Sequence, residues 1–445
     1  MAKICIIGGG ISGLATGEFL AEKDFILCEK QTNVGGWVQT HQHSSGAILD
    51  LAANGWLNNE PTVGDLINSL SLADEVITAN QKTNIRWIFH KGKLRAAPLS
   101  PLALLRTPLL SFRTKLRMLL EPFITQKTTN DEESLADFVA RRLGKGTIET
   151  LLAPMVAGIF AAHPSEISVR AAFPKLYEME QSHGSLFSAL RKRKAFRPQL
   201  QTLKGGAGQL ANTIAQKYSN QIKCNRQVQA IEKNGDRWNV FFADGNITCD
   251  AIVFACPSHA QASIIRGTLP DIAPHLDAIK YSSVVVVSGI YPQKMWQRTP
   301  VGFGALVTPK TESYGALGTL FTSSIFPSHG PQGTIITRSI FGGTRHPTAI
   351  EWDNQELIAK NRKLHTKFFG EELDQPIDIQ VFKHHNAIPR YEVGHHQRQI
   401  TIQSMQKRNP GIFFVGNHLF GVGVKDCIRN AKRTAQMVDQ YLGIK

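Results

Sequence analysis

The sequence predicts an α/β fold in three parts. These are a discontinuous Rossmann-type nucleotide-binding domain, a second domain on a mixed or antiparallel sheet, and a helical insertion. Three observations predict it. The chain opens on a strand, a glycine turn, a helix and a second strand that ends in an acid. A long stretch before residue 200 has helical spacing and few strand signals. Strand patterns then return, and the tail closes on one more strand, loop and helix.

The opening unit reads Lys3-Ile4-Cys5-Ile6-Ile7-Gly8-Gly9-Gly10-Ile11-Ser12-Gly13. Gly8, Gly10 and Gly13 stand at the G-x-G-x-x-G spacing. The first permits a tight turn, the second lets a pyrophosphate approach the backbone, and the third lets helix and strand pack closely. The helix N-terminus offers free N–H groups and a positive dipole end to phosphates. Glu29 closes the second strand about twenty residues on, where a carboxylate accepts from ribose hydroxyls. Together these residues read as a dinucleotide socket. Gly35, Gly36 and Trp37 follow directly. Two glycines there allow close backbone approach. This second pair resembles the extension of the flavin amine oxidase superfamily, which commonly has Arg where Trp37 stands. The resemblance implies FAD.

Further along, Thr62 to Gln81 has a helical pattern and Asn84 to His90 a strand pattern. Pro98 to about Arg197 reads as helices, apart from a turn near Gly158. Gln201 to Gly208 is a loop that opens another helix. Strand signals return at Arg226 to Ile231, Trp238 to Phe242 and Ala251 to Ala255. The turns Asn234-Gly235 and Asp244-Gly245 make a hairpin feeding back into a parallel sheet. Ser283 to Gly289 and Thr334 to Phe341 read as strands of a separate antiparallel sheet. Ile412 to Gly416, Asn417 and a helix from about Asp426 return to the nucleotide domain. The nucleotide domain is therefore assigned residues 1–70, 199–262 and 409–445. The second domain takes 71–93 and 263–408, and the helical insertion 94–198.

With 445 residues the chain has room for two or three domains. No stretch reaches the length of a transmembrane helix, and no signal or transit peptide is evident. The six cysteines show no C-x-x-C pair. Cys5, Cys28 and Cys256 read as reduced core residues of a cytosolic protein. The net charge of +15 points to an anionic partner. Between Lys91 and Pro122 the chain mixes Lys93, Arg95, Arg106, Arg113, Lys115 and Arg117 with many leucines. A basic, leucine-rich stretch broken by Pro98, Pro101 and Pro108 reads as helices lying on an anionic membrane surface, or as solvated helix faces. Arg191, Lys192, Arg193, Lys194 and Arg197 form a second basic cluster. No nucleic-acid motif accompanies either. Among the fifteen histidines, His384-His385 and His395-His396 are adjacent pairs. Neighbours in a strand face opposite ways, so neither pair is assigned as a metal site.

Several blocks then resemble the protoporphyrinogen oxidase family. They are Leu135 to Arg142, Ala153 to Pro164, Ala171-Ala172-Phe173-Pro174-Lys175 and Glu180 to Ser185. Leu317 to Pro327, Ala387-Ile388-Pro389-Arg390-Tyr391, Val415-Gly416-Asn417, Gly421-Val422 and Asp426-Cys427-Ile428 continue the series. The likeness runs from Gly8 to Ile428, and coproporphyrinogen oxidases share most of it. Departures are Ala52-Ala53 before Asn54, Ala161-Ala162-His163-Pro164, and Arg390 where the family usually has Gln.

The resemblance implies FAD-dependent oxidation of protoporphyrinogen IX to protoporphyrin IX in haem biosynthesis. Six electrons leave as three hydride equivalents, with dioxygen or a quinone as acceptor. Coproporphyrinogen III is the alternative substrate. Its four propionates would call for extra cations, of which Arg390 is one candidate. A non-catalytic porphyrin- or flavin-binding protein is the reading from another class; the intact glycine socket and Glu29 argue against it. The resemblance aligns Arg86 with a propionate-binding arginine. Read alone, an arginine in a strand also suits an exposed sheet edge. It puts Leu306, Leu320 and Ile340 on the slot walls and the Gly158 backbone against the macrocycle. Asn54, Val228, Gly416, Asn417, Val422 and Val424 complete the candidate cofactor contacts. No catalytic acid or base is assigned, since the flavin takes the hydride and the protein orients and desolvates. His163 is a possible substrate neighbour by position, though a lone loop histidine is more often structural. A homodimer stays open, because nothing in the sequence sets the oligomeric state.

Overall fold

In the computed structural model the chain is described over residues 3–129, 131–192, 198–297, 299–370, 372–373 and 375–444. Ile4, Cys5 and Ile6 are fully buried, so the strand Lys3–Ile7 has no solvent face and must lie inside a sheet. It does so. The five-stranded parallel sheet runs Ile222–Lys223, Asp24–Cys28, Lys3–Ile7, Ala251–Phe254, Ile412–Phe414. Its strands come from the beginning, middle and end of the chain, as the discontinuous domain requires. The helices Ile11–Phe19 and Val424–Ile444 pack on one another over one face, sharing a core with Leu14, Ile428 and Ala431. The hairpin strands Arg237–Phe242 and Gly245–Cys249 join Ala230–Asn234 in a separate three-stranded sheet.

The second sheet has seven strands. Its order is Asp378–Pro389, Tyr281–Pro292, Thr334–Gly342, Ala316–Leu320, Gly304–Val307, Arg86–His90, Lys93–Ala96. All pairs are antiparallel except Gly304–Val307 with Arg86–His90, so the sheet is mixed. One face packs on the helix Asn354–Phe369 through Phe89, Val285, Val287, Phe341, Leu357 and Leu364. The strand carrying Arg86 is not an edge, because Lys93–Ala96 covers its far side. Alternation along each strand puts Leu306, Leu320 and Ile340 on the opposite face, which Ala47 and Leu49 cover at one end and the helix Ala153–Phe160 approaches at Leu306.

The helical insertion starts where serine side chains cap helices. Ser100, Ser111, Ser134 and Ser168 each accept from a backbone amide in the first turn. A buried ion network ties its helices together. Arg142 pairs with Glu121 and Glu180, and Arg141 with Glu133 and Glu180. Arg117 turns inward and donates to the carbonyls of Arg141 and Arg142, at the end of the helix Leu135–Leu143. It therefore leaves the set of outward-facing cations. No helix among the described residues is long and apolar enough to cross a membrane.

Three local expectations are corrected, the first being the loop expected over 201–208, whose start belongs to the strand Leu200–Leu203. The helical stretch expected over 62–81 ends at Ser69, in the helix Pro61–Ser69. Ser71 takes a positive φ of 55°, and Val76–Thr78 leaves as a strand paired with Leu200–Leu203. His395-His396 opens the helix His395–Arg408 rather than sitting in a strand. All six cysteines are free thiols. Arg193, Lys194 and Arg197 lie outside the described residues.

Candidate active site

The glycine turn shows three separate needs. Gly8 has φ +110°, and a Cβ there would stand 2.7 Å from the Cys256 nitrogen. A Cβ on Gly13 would meet the Gly8 carbonyl oxygen at 2.0 Å. These two glycines serve the protein's own packing. Gly10 differs: its backbone is ordinary, and a Cβ there would find no atom within 4 Å. That open space faces a cavity of about 1100 Å³. Gly10 caps the helix Ile11–Phe19 without a side-chain hydrogen bond, and no acid lies in the first turn. The helix thus presents uncapped N–H groups beside open space, as a pyrophosphate requires.

Glu29 braces this turn. Its carboxylate accepts from the Gly9 amide at 2.6 Å and from the Gln31 amide at 2.8 Å, and it lines the cavity. The second glycine pair docks on the first. The Gly35 amide donates to the Gly9 carbonyl at 2.7 Å, and a Cβ on Gly36 would stand 3.2 Å from the Gly10 Cα. Gly36 and Trp37 line the cavity, as do Gly8 and Gly10. From the rest of the chain come Val228, Gly416, Asn417, Val422 and Val424. Val424 begins the long C-terminal helix, so a second helix N-terminus reaches the cavity. Tyr391 donates its hydroxyl to the Asn417 carbonyl at 2.6 Å and holds that loop. Gly13, Gly35 and Asn54 do not line the cavity; Ala53, beside Asn54, does. The cradle of absent side chains, uncapped amides and a carboxylate on the cavity wall fits a dinucleotide of FAD type.

The expected slot residues fall on one face of the seven-stranded sheet, the face opposite the Asn354–Phe369 helix. Register places Leu306, Gly318 and Ile340 side by side, and Gly304, Leu320 and Arg338 in the next row. Arg86 pairs with Gly304, which extends that second row by one strand. Leu306, Leu320 and Ile340 are each half-buried. The Arg86 guanidinium lies over the Phe303 ring at 5.0 Å and has no carboxylate partner among the described residues. Gly158 lies in the helix Ala153–Phe160, and a Cβ there would stand 3.0 Å from Leu306 Cδ2. Its missing side chain lets helix and sheet approach. Trp37 and Ile340 pack into one cluster with Ala157, Ala161 and Leu317, so this sheet face adjoins the cavity that Trp37 lines.

Other expected groups are engaged elsewhere. Arg390 pairs with Glu166 and Glu392, which removes it as a spare cation. His163 contacts Ser165 and Glu149. His384 packs edge-on against Trp37 at 5.1 Å and contacts the Leu51 carbonyl, and burial lowers its pKa. His259 lines the cavity and is lowered by burial too; the Cys256 thiol beside it is pushed up to about 12. Sequence reasoning missed His259, Arg226 and Asn386, which line the cavity, and Arg338 on the slot face. None belongs to a spaced motif. Only pairing of distant strands brings them in.

The flavin containing amine oxidoreductase family model matches residues 11–439. Protoporphyrinogen oxidase 2, chloroplastic/mitochondrial, of Arabidopsis thaliana is 27% identical, covering 99% of this chain and 94% of its own. Coproporphyrinogen III oxidase of Bacillus subtilis is 25% identical, with 99% and 98% covered. A crystal structure from Exiguobacterium sp. 255-15, provisionally assigned as a protoporphyrinogen oxidase, superposes with a TM-score of 0.85. It is 22% identical, and 99% of each chain is covered. Cyclohexylamine oxidase from Brevibacterium oxydans shares the fold at a TM-score of 0.75 and 18% identity, again with 99% of each chain covered.

Proposed function

The chain belongs to the flavin containing amine oxidoreductase family, in its protoporphyrinogen and coproporphyrinogen oxidase branch, and from that premise we propose that it oxidises a porphyrinogen to a porphyrin in haem biosynthesis. It is an FAD-dependent oxidase. The observation that carries the porphyrinogen reading is the slot face. Three apolar side chains and an arginine with no carboxylate partner among the described residues share one side of a sheet that adjoins the cavity. A saturated-bridge tetrapyrrole needs an apolar slot, a cation for its carboxylates, and an acceptor near a methylene bridge.

The chain's own residues bind, orient and exclude water. Gly10 leaves room for the pyrophosphate, and Glu29 faces the ribose. Arg86 holds a carboxylate in a two-pronged hydrogen bond. Leu306, Leu320 and Ile340 desolvate the macrocycle. Bound FAD supplies the hydride acceptor, with dioxygen as the final acceptor in this reading. No side chain is assigned as general base, and the pyrrole N–H protons leave to solvent. Protoporphyrinogen IX, with its carboxylates on one edge, is the first of two candidate substrates. Coproporphyrinogen III is the second, and a second arginine on the slot face favours it. Turnover of each porphyrinogen under air, followed by porphyrin fluorescence, tests the reading. FAD-loaded protein that leaves both unoxidised overturns it.

The enzyme works at an anionic membrane surface. Phe112, Leu116, Leu119, Leu120 and Phe123 recur at one-face helical spacing from the helix Phe112–Leu119 onward, and all are exposed. Phe112 and Phe123 are 78% and 83% exposed. Leu99, Leu102 and Leu105, just before in sequence, are exposed too, and Arg106, Arg113 and Lys115 lie among them in the chain. Exposed apolar side chains with basic neighbours suit insertion among anionic headgroups. A homodimer is not needed for this reading.

A further inference from the structure

The row that begins at Arg86 ends in unusual chemistry. Register carries it from Arg86 through Gly304 and Leu320 to Arg338, and on to Ser288. Residues paired in this way share a sheet face, so Arg338 and Ser288 lie on the slot side with Leu306, Leu320 and Ile340. Arg338 is 5% exposed and Ser288 1%. A guanidinium stays charged at any ordinary pH, and a buried charge is costly unless paired. The Asp50 carboxylate favours the Arg338 charge only through space, and Arg338 makes no salt bridge among the described residues. Its one hydrogen bond there runs from Nη1 to the Asp50 carbonyl at 3.0 Å. The Asp50 carboxylate itself is taken up by the Thr40 hydroxyl and the Ala207 amide. Arg338 Nε and Ser288 Oγ both lack a hydrogen-bond partner among the described residues. Two orphaned polar groups therefore adjoin on neighbouring strands, between the apolar row of Leu306, Gly318 and Ile340 and the Ala47, Leu49, Ile290 and Ile336 cluster. Other buried polar atoms here also lack partners, but this pair sets a buried guanidinium beside a buried hydroxyl, the donors a carboxylate needs.

We propose that Arg338, assisted by the Ser288 hydroxyl, is a second carboxylate anchor, which holds the edge of the macrocycle opposite Arg86. The two arginines stand three strand spacings apart, about 14 Å between backbones. Leu320 lies between them in the row. An anionic ligand held at both ends must carry carboxylates on opposite edges with an apolar body between. A porphyrinogen with propionates on every ring has that pattern; one with both propionates on a single edge does not. The inference rests on the porphyrinogen reading and adds the specificity of the same slot. Arg338 contributes binding and orientation, and no bond is made or broken at it.

The test compares wild type, Arg338→Gln, Arg338→Lys and Ser288→Ala, each loaded with FAD. Two readouts are kcat/KM for coproporphyrinogen III and protoporphyrinogen IX, and Kd for the two product porphyrins by fluorescence. A lost hydrogen bond to a charged group predicts that Arg338→Gln weakens the tetracarboxylate ligand about 10- to 100-fold. The dicarboxylate ligand should change by less than about threefold, and Arg338→Lys should recover part of the loss. Ser288→Ala, which keeps the buried charge in place, should lose a smaller factor in the same direction. Equal losses for both ligands, or none for either, overturn the anchor. Loss of FAD from Arg338→Gln with Ser288→Ala unaltered also overturns it, since Arg338 would then only support the Asp50 loop. A wild type that oxidises neither porphyrinogen instead overturns the reading on which the anchor rests.

Discussion

Gly10 separates function from folding more cleanly than any other residue of the socket. Gly8 and Gly13 are required by the backbone around them, whereas a Cβ on Gly10 meets only open space. Gly10→Val should therefore keep its melting temperature as apoprotein and lose FAD; full flavin occupancy would misplace the socket. Glu29→Ala should weaken FAD by roughly 1–3 kcal/mol, because ribose hydroxyls and the Gly9 amide both lose an acceptor. An unaltered FAD dissociation constant would remove Glu29 from the site. Arg86→Ala should raise KM for the porphyrinogen far more than it lowers kcat, costing about 2–3 kcal/mol in kcat/KM. Its carboxylate lies far from the reacting bridge, so wild-type kinetics would show Arg86 to be a surface residue. At this scale the glycines and Glu29 were legible, because their roles follow from local spacing. Arg338 was not. Its hydrogen bond to the Asp50 carbonyl joins positions far apart in sequence, and only strand register aligns it with Arg86.

Among the elements, the helical insertion depends on its buried ions. Arg142 and Glu121 are fully buried, and Glu121 also accepts from Ser185, Leu186 and Phe187. Arg142→Met leaves that carboxylate without its cation and should cost about 3–5 kcal/mol in unfolding experiments. Burial pushes the Glu121 carboxyl up, but these hydrogen bonds outweigh it and hold the pKa below its ordinary value. The sign follows: the stabilisation is present above about pH 4.3 and is lost as the pH falls through the lowered folded value. Melts at descending pH should show Glu121→Gln with a shallower acid slope than wild type; parallel slopes would contradict it. The exposed apolar face gives a separate test. Wild type should float with anionic vesicles at low salt, and Phe112→Ser with Phe123→Ser, or Arg106, Arg113 and Lys115 to Gln, should release it with FAD intact. Wild type that stays at the bottom with anionic lipid contradicts membrane contact. The helices of this region were legible from spacing and serine caps. The role of Arg117 was not, since it points back to the Arg141 and Arg142 carbonyls. The helix expected over 62–81 failed for a related reason: Val76–Thr78 takes strand geometry from its pairing with Leu200–Leu203.

Across the whole molecule, three separate stretches of chain build one parallel sheet, and the mixed sheet meets it along the FAD cavity. That the nucleotide domain is discontinuous could be read from strand and helix patterns at both ends of the chain. The register of the mixed sheet could not, because alternation defines faces but not partners. Yet it is that register which sets Arg86, Leu320 and Arg338 in one row. The central claim is that a porphyrinogen in this slot passes hydride to FAD in the adjoining cavity. The most direct measurement is anaerobic mixing of the FAD-loaded protein with excess porphyrinogen, with flavin absorbance and porphyrin fluorescence followed together. The account predicts that oxidised flavin bleaches as porphyrin fluorescence rises, and that admitting air restores the flavin. A flavin that stays oxidised against both porphyrinogens would contradict it.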